Sequence, residues 1–111
     1  MNNRVGITGI GVFAANGNSL GAFWQSLLAG ESGVGPITLF DATDLKCRIA
    51  GEVKDFDPTD YIDAALKPRR MGRFAQLATS AAEEAIRDAE LSPQDFSAHP
   101  EIPVVLGVST T

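Results

Sequence analysis

Near one end of the chain, Val104-Val105-Leu106-Gly107-Val108 runs without a single polar side chain. An uninterrupted apolar stretch of this length is the pattern of a strand buried on both faces, because an exposed face would require a polar residue at every second position. Such a strand needs neighbours on both edges and a covering layer on each side. Two other segments read as strands. Val5 to Gly9 is short and apolar at Val5 and Ile7, with Gly6 allowing close backbone contact. Cys47 to Val53 alternates, with Cys47, Ile49, Gly51 and Val53 on one face and Arg48, Ala50 and Glu52 on the other. The expectation is therefore an α/β arrangement whose central strand this chain alone covers only thinly.

Two helices are expected between the strands. Asn18 or Ser19 is placed to cap the first, in which Leu20, Phe23, Trp24, Leu27 and Leu28 recur at helical spacing before Gly30 ends it. Trp24 and its neighbours are read as core. The second is expected to begin near Pro68 and carries Met71, Phe74 or Ala75, Ala78, Ala81 or Ala82, Ala85 and Ala89 on one stripe. Small side chains shorten the distance to whatever packs there, so this stripe is also core. Residues 31–46 read as a loop, residues 55–63 as an acidic connection, and Ser92-Pro93 as the start of a polar loop through His99-Pro100.

Charge narrows the partners. The 111 residues carry a net charge of −5, which opposes binding to nucleic acid. No apolar run reaches the ~20 residues that cross a bilayer, and Met1-Asn2-Asn3-Arg4 leads into the first strand without the pattern of a secretory leader. No membrane association and a cytoplasmic location are the expectation. One cysteine and one histidine allow neither an internal disulfide nor a closed metal site. Against the acidic background stands one basic island, Lys67, Arg69, Arg70 and Arg73, with no acid between Ala64 and Ala82.

Three features invite a chemical reading. Gly9-Ile10-Gly11-Val12-Phe13-Ala14 satisfies G-x-G-x-x-A after a strand, but Asn16-Gly17-Asn18 breaks the chain where a dinucleotide-binding helix would start. Cys47 lies in a strand-like segment, away from the helix N-terminus that favours a thiolate, and reads as a half-buried structural thiol. His99 reads as a solvated loop residue. The basic island is different, because cations at the start of a helix oppose the positive end of its dipole. Either a partner anion explains Lys67, Arg69 and Arg70, or they form a solvated face or pair with the acids of residues 55–63.

Several stretches together resemble a known family. They are R-V-G-I-T-G-I-G-V from Arg4, L-L-A-G-E-S-G-V-G-P-I from Leu27, F-D-A-T-D-L from Phe40, R-I-A-G-E-V-K-D-F-D-P from Arg48, R-R-M-G-R-F-A-Q from Arg69 and A-A-E-E-A-I-R-D-A from Ala81. These are similar to the N-terminal part of β-ketoacyl-[acyl carrier protein] synthases of the elongating, thiolase-like kind. The resemblance implies that residues 1–111 are an incomplete N-terminal part of the synthase domain, in a layered α/β/α/β/α fold. The implied activity condenses acyl and malonyl thioesters with decarboxylation, in fatty acid or polyketide synthesis, with no metal or organic cofactor. The family's cysteine nucleophile and two histidines sit in motifs that neither Cys47 nor His99 matches, so no catalytic residue is assigned here and the chain alone is expected to be inactive. Family members are homodimers. Their basic residues at the R-R-M motif help dock the acidic acyl carrier protein, which makes Lys67, Arg69 and Arg70 the candidate carrier-binding residues. The alternative is a non-catalytic carrier-binding module or an inactive partner in a heteromeric synthase. The chain departs from the family at Gly72, where an acid is common, and at Glu90, where glycine is usual; Gly72 also suggests a later helix start.

Overall fold

The computed structural model describes residues 2–109. Helix α1 spans Leu20–Ala29 and is defined by its two ends. Ser19 is extended (φ −151°, ψ 159°), and its Oγ accepts the Ala22 N–H at 3.2 Å, satisfying one of the helix's free amides. At the other end Gly30 adopts φ 68°, a left-handed turn in which its N–H reaches Leu27 O and the Glu31 N–H reaches Ser26 O. The expected core role of this helix does not hold. Trp24 is 55% exposed, and Leu20, Leu27 and Leu28 are exposed beside it, while Phe23 alone of the stripe is half-buried.

A small antiparallel pair follows. Strand β1, Val34–Pro36, lies in the stretch expected to be loop, and strand β2, Ile49–Gly51, is the centre of the expected Cys47–Val53 strand. Val34 faces Gly51, Gly35 faces Ala50 and Pro36 faces Ile49. Pro36 is tolerated because the pair has two free edges and its missing N–H is not needed. Just beyond β2, the buried Glu52 carboxylate fastens the chain that leaves β1. It accepts the Thr38 N–H at 3.0 and 3.1 Å, the Thr38 hydroxyl at 2.8 Å and the Leu39 N–H at 3.1 Å. The alternation is real, but the inward face belongs to Ala50 and Glu52. Ile49 is exposed, and so is Cys47, contrary to the half-buried thiol expected for it.

Helix α2 spans Arg73–Asp88. It starts later than Pro68 because Met71 (φ −82°, ψ 147°) and Gly72 (φ −63°, ψ 152°) are extended, so that Pro68 opens only a three-residue 3-10 turn. The alanine stripe does meet close-packed backbone, as expected, but what approaches is the extended segment around Gly9 and Gly11. A Cβ at Gly9 would fall 2.1 Å from Ala85 O, and one at Gly11 would fall 1.9 Å from Ala81 O. The Ile10 N–H donates to Asp88 Oδ2 at 2.9 Å and fixes the segment along the helix. A third helix, α3 (Pro93–Ala98), replaces the expected loop after Ser92. Ser92 and Asp95 form a reciprocal capping box, with Pro93 in the first helical position.

Neither Val5–Gly9 nor Val104–Val108 forms a strand among the described residues. A strand exists only through hydrogen bonds to a neighbour, and both runs lie open: Val5 is 91% exposed and Val105 88%. The same openness marks the whole chain. Its radius of gyration is 16.8 Å, against ~13 Å for a compact domain of this length. Its accessible surface is 8873 Å², where a compact monomer of 11.7 kDa would show ~5900 Å². Among the described residues the buried apolar side chains are Ala42, Ile62 and Pro68.

Candidate functional site

The basic island is built on three consecutive tight turns. Asp57 starts the first, Pro58–Asp60; its Oδ1 accepts the Thr59 N–H at 2.9 Å and the Thr59 hydroxyl at 2.6 Å. Asp63 starts the second, Ala64–Leu66, accepting the Ala65 N–H at 2.7 Å. Lys67 then takes a left-handed conformation (φ 51°, ψ 59°) and turns the chain into the third, Pro68–Arg70. Each aspartate satisfies amides that a short turn leaves free. The two hydrogen bonds from Thr59 hold the Asp57 carboxyl below its ordinary value of 3.8, with a smaller contribution from Arg69, so Asp57 is ionised at neutral pH.

The third turn is braced from behind. Gln76 on α2 donates its side-chain amide to Pro68 O at 3.0 Å. Arg73, in the first turn of α2, donates to Val53 O at 3.1 Å and lays its guanidinium 4.7 Å from the centre of the Phe56 ring. Phe56 in turn belongs to an aromatic cluster, stacked on Tyr61 at 5.7 Å and meeting the edge of Phe13 at 5.2 Å. Phe13 and Tyr61 meet edge to face at 4.7 Å. This cluster joins the N-terminal segment to the turns and to the start of α2.

Lys67, Arg69 and Arg70 come together. With Thr59, Ile62, Ala64 and Pro68 they line an open groove of about 310 Å³, which has an apolar floor and a cationic rim. They do not sit at the head of the long helix, as expected, but in a separate turn two residues before it. Repulsion by the α2 dipole is therefore not what sets their environment. Arg69 meets Asp57 Oδ2 at 3.6 Å, within the acidic connection that the sequence offered as a salt-bridge source. Among the described residues Lys67 and Arg70 form no ion pair. Arg73, the fourth member of the island, serves as a brace. Asp57 was legible as a turn former in Asp57-Pro58-Thr59; the role of Arg73 had no local signal, because its partners lie 17 to 20 residues away in sequence.

Among the described residues the remaining reactive side chains have local partners. The Cys47 thiol donates to Ile49 O at 3.5 Å, and His99 Nδ1 lies 3.2 Å from Glu101 Oε1 in the exposed connection expected for it. Gly9 and Gly11, from the dinucleotide-like motif, are used to let the chain touch α2, and no helix starts until Leu20. Among the described residues no group of three His, Cys, Asp or Glu side chains converges as a metal site would require, and no helix is long and apolar enough to cross a membrane.

Comparison with known proteins places the whole chain. Residues 2–111 match the family described as "Beta-ketoacyl synthase, N-terminal domain". The chain is 46% identical over 104 residues to 3-oxoacyl-[acyl-carrier-protein] synthase 2 of Synechocystis, covering 94% of this chain and 24% of that protein. The Coxiella burnetii protein of the same name is 45% identical, with 94% of this chain and 25% of that one covered. Among solved structures, the ishigamide ketosynthase/chain length factor matches with a TM-score of 0.71 at 39% identity, over 80% of this chain and 22% of that one. The chain thus spans about a quarter of the length of these relatives.

Proposed function

The chain belongs to the β-ketoacyl synthase family, sharing the N-terminal portion of its thiolase-like α/β fold, and on that premise we propose that it is the opening segment of a 3-oxoacyl-[acyl-carrier-protein] synthase. Residues 1–111 are then an incomplete part of the synthase domain. The whole polypeptide moves an acyl group from a carrier thioester to a cysteine thiolate, decarboxylates a malonyl thioester, and joins the resulting carbanion to the acyl enzyme. Covalent catalysis divides the reaction into two easier steps, and backbone N–H donors hold the oxyanion that forms in each. The observation that carries this reading is the 46% identity to a named synthase across 94% of the chain. The surface excess of ~3000 Å² over a compact monomer supports it, since a larger layered fold would cover Trp24, Val5 and Val105.

In this reading the segment supplies a docking surface and no reacting group. Among the described residues the Cys47 and His99 side chains each have a single hydrogen-bond partner, two residues along the chain. Lys67, Arg69 and Arg70 present cations around an apolar groove, which suits an acidic carrier protein that must be captured and then released. A second reading, a partner in a heteromeric synthase, is favoured by one observation: the matching structure is described as a ketosynthase/chain length factor.

The test is to express the polypeptide of the complete reading frame, and the chain alone, and supply each with acyl- and malonyl-carrier protein. The complete polypeptide should release carbon dioxide and form 3-oxoacyl product, while the chain alone should form none. Product from the chain alone that depends on Cys47 would overturn the assignment of roles. A complete, folded polypeptide that binds carrier but condenses only with a second subunit would establish the heteromeric reading.

A further inference from the structure

We propose that Asp57 is a built-in competitor of the carrier protein, an intramolecular carboxylate that occupies Arg69 and so lowers the affinity of the basic turn for acidic surfaces. The inference rests on the carrier-docking reading of that turn and adds a residue that sets its strength. Asp57 divides its two oxygens. Oδ1 is committed to the Thr59 N–H at 2.9 Å and the Thr59 hydroxyl at 2.6 Å, which fixes the carboxylate in place whether or not Arg69 is near. Oδ2 is left facing Arg69 Nη2 at 3.6 Å.

That distance is longer than the ~2.7–2.9 Å of a strong charge-assisted hydrogen bond, and the pair is open to water, with the Arg69 side chain 78% exposed and that of Asp57 48%. The contact therefore holds Arg69 loosely. An incoming carboxylate that reaches full hydrogen-bond geometry displaces Asp57, but must overcome its attraction first. Lys67 and Arg70 carry no such internal partner among the described residues. Thr59, which donates to Asp57, itself lines the groove beside Arg69 and Arg70, so competitor and docking surface are adjacent. The consequence is a surface of moderated attraction, suited to a partner that must leave after each transfer.

The substitution Asp57→Asn isolates the effect. The asparagine oxygen still accepts from Thr59, and asparagine caps as well as aspartate, so the turn is kept and only the charge is lost. In the polypeptide of the complete reading frame, affinity for fluorescently labelled holo-acyl carrier protein is measured by anisotropy across a salt series. Asp57→Asn should tighten binding about two- to fivefold at low salt, the size expected for one exposed ion pair, and the gain should vanish near 1 M salt. Arg69→Ala should weaken binding, and adding Asp57→Asn to Arg69→Ala should bring no further gain. Unchanged or weaker binding by Asp57→Asn overturns the proposal. An equal gain in the Arg69→Ala background also overturns it, because the effect would then be the general field of an acidic chain. If Arg69→Ala and Arg70→Ala leave affinity unchanged, the docking reading fails and the proposal with it.

Discussion

Glu90 occupies a position built for glycine. Helix α2 ends in a double-bonded left-handed turn: the Glu90 N–H reaches Arg87 O at 3.0 Å and the Leu91 N–H reaches Ile86 O at 3.1 Å. Gly30 makes the same pair of bonds at the end of α1, with φ 68°, but at Glu90 a side chain bears the strain at φ 56°. The left-handed region costs an L-residue ~1–2 kcal/mol through contact of Cβ with the following carbonyl. Glycine at 90 would remove that cost and return roughly 0.4–1 kcal/mol of it as extra freedom of the unfolded chain. The net prediction for Glu90→Gly is a stabilisation of about 0.5–1 kcal/mol, with any relief of repulsion at the negative helix end acting in the same direction. Urea unfolding should show a higher midpoint at constant slope, and amide exchange at Leu91 should slow severalfold. Glu90→Ala separates the causes, since it removes the charge and keeps Cβ, and should recover little. If Glu90→Ala stabilises as much as Glu90→Gly, backbone strain is not the reason this position favours glycine.

Two further outcomes follow from the packing and the buried carboxylate. Gly11→Ala would place Cβ 1.9 Å from Ala81 O, against backbone that cannot rotate away, and should cost about 1–3 kcal/mol in an unfolding titration, whereas Gly6→Ala meets nothing within 4 Å and should cost far less. The Glu52 carboxyl is held below its ordinary value of 4.5, chiefly by the Leu39 N–H and then by the Thr38 hydroxyl, so below that pH the unfolded chain binds more protons than the folded one. The stability it contributes is complete above about pH 4.5 and is lost as pH falls through the lowered value. Glu52→Gln should therefore be less stable at neutral pH and show a flatter acid limb; an unchanged acid limb would contradict this.

The ends of elements were legible where a residue does one job by its own chemistry. Gly30 marked the end of α1, and Asn18 or Ser19 its start, which the structure gives to Ser19. Ser92, Pro93 and Asp95 carry an equally clear start for α3, but Ser-Pro reads first as a break. Helix α2 starts beyond Pro68 because a proline suits the first turn of any helix, including a 3-10 turn of three residues, and Gly72 is the truer marker. Burial was the least legible property. The apolar pattern of Trp24, Val5 and Val104–Val108 reports the cover such side chains require, and local structure in a quarter-length segment does not supply it. For the candidate site, clustering of Lys67, Arg69 and Arg70 followed from their spacing, whereas the Asp57 contact and the Arg73 brace depend on turns whose geometry no periodicity encodes.

The proposed division of labour is that the basic turn captures the carrier protein while chemistry occurs elsewhere. It is tested most directly by kcat/KM of the complete polypeptide and its Arg69→Ala/Arg70→Ala variant on two substrates, an acyl-carrier protein and a small acyl thioester without carrier. A loss of about tenfold at low salt is expected with the carrier-bound substrate, two exposed charges' worth, and almost none with the small thioester. Raising salt should slow the wild type on carrier substrate towards the variant. Equal losses on both substrates, or no loss on the carrier-bound one, would contradict the claim.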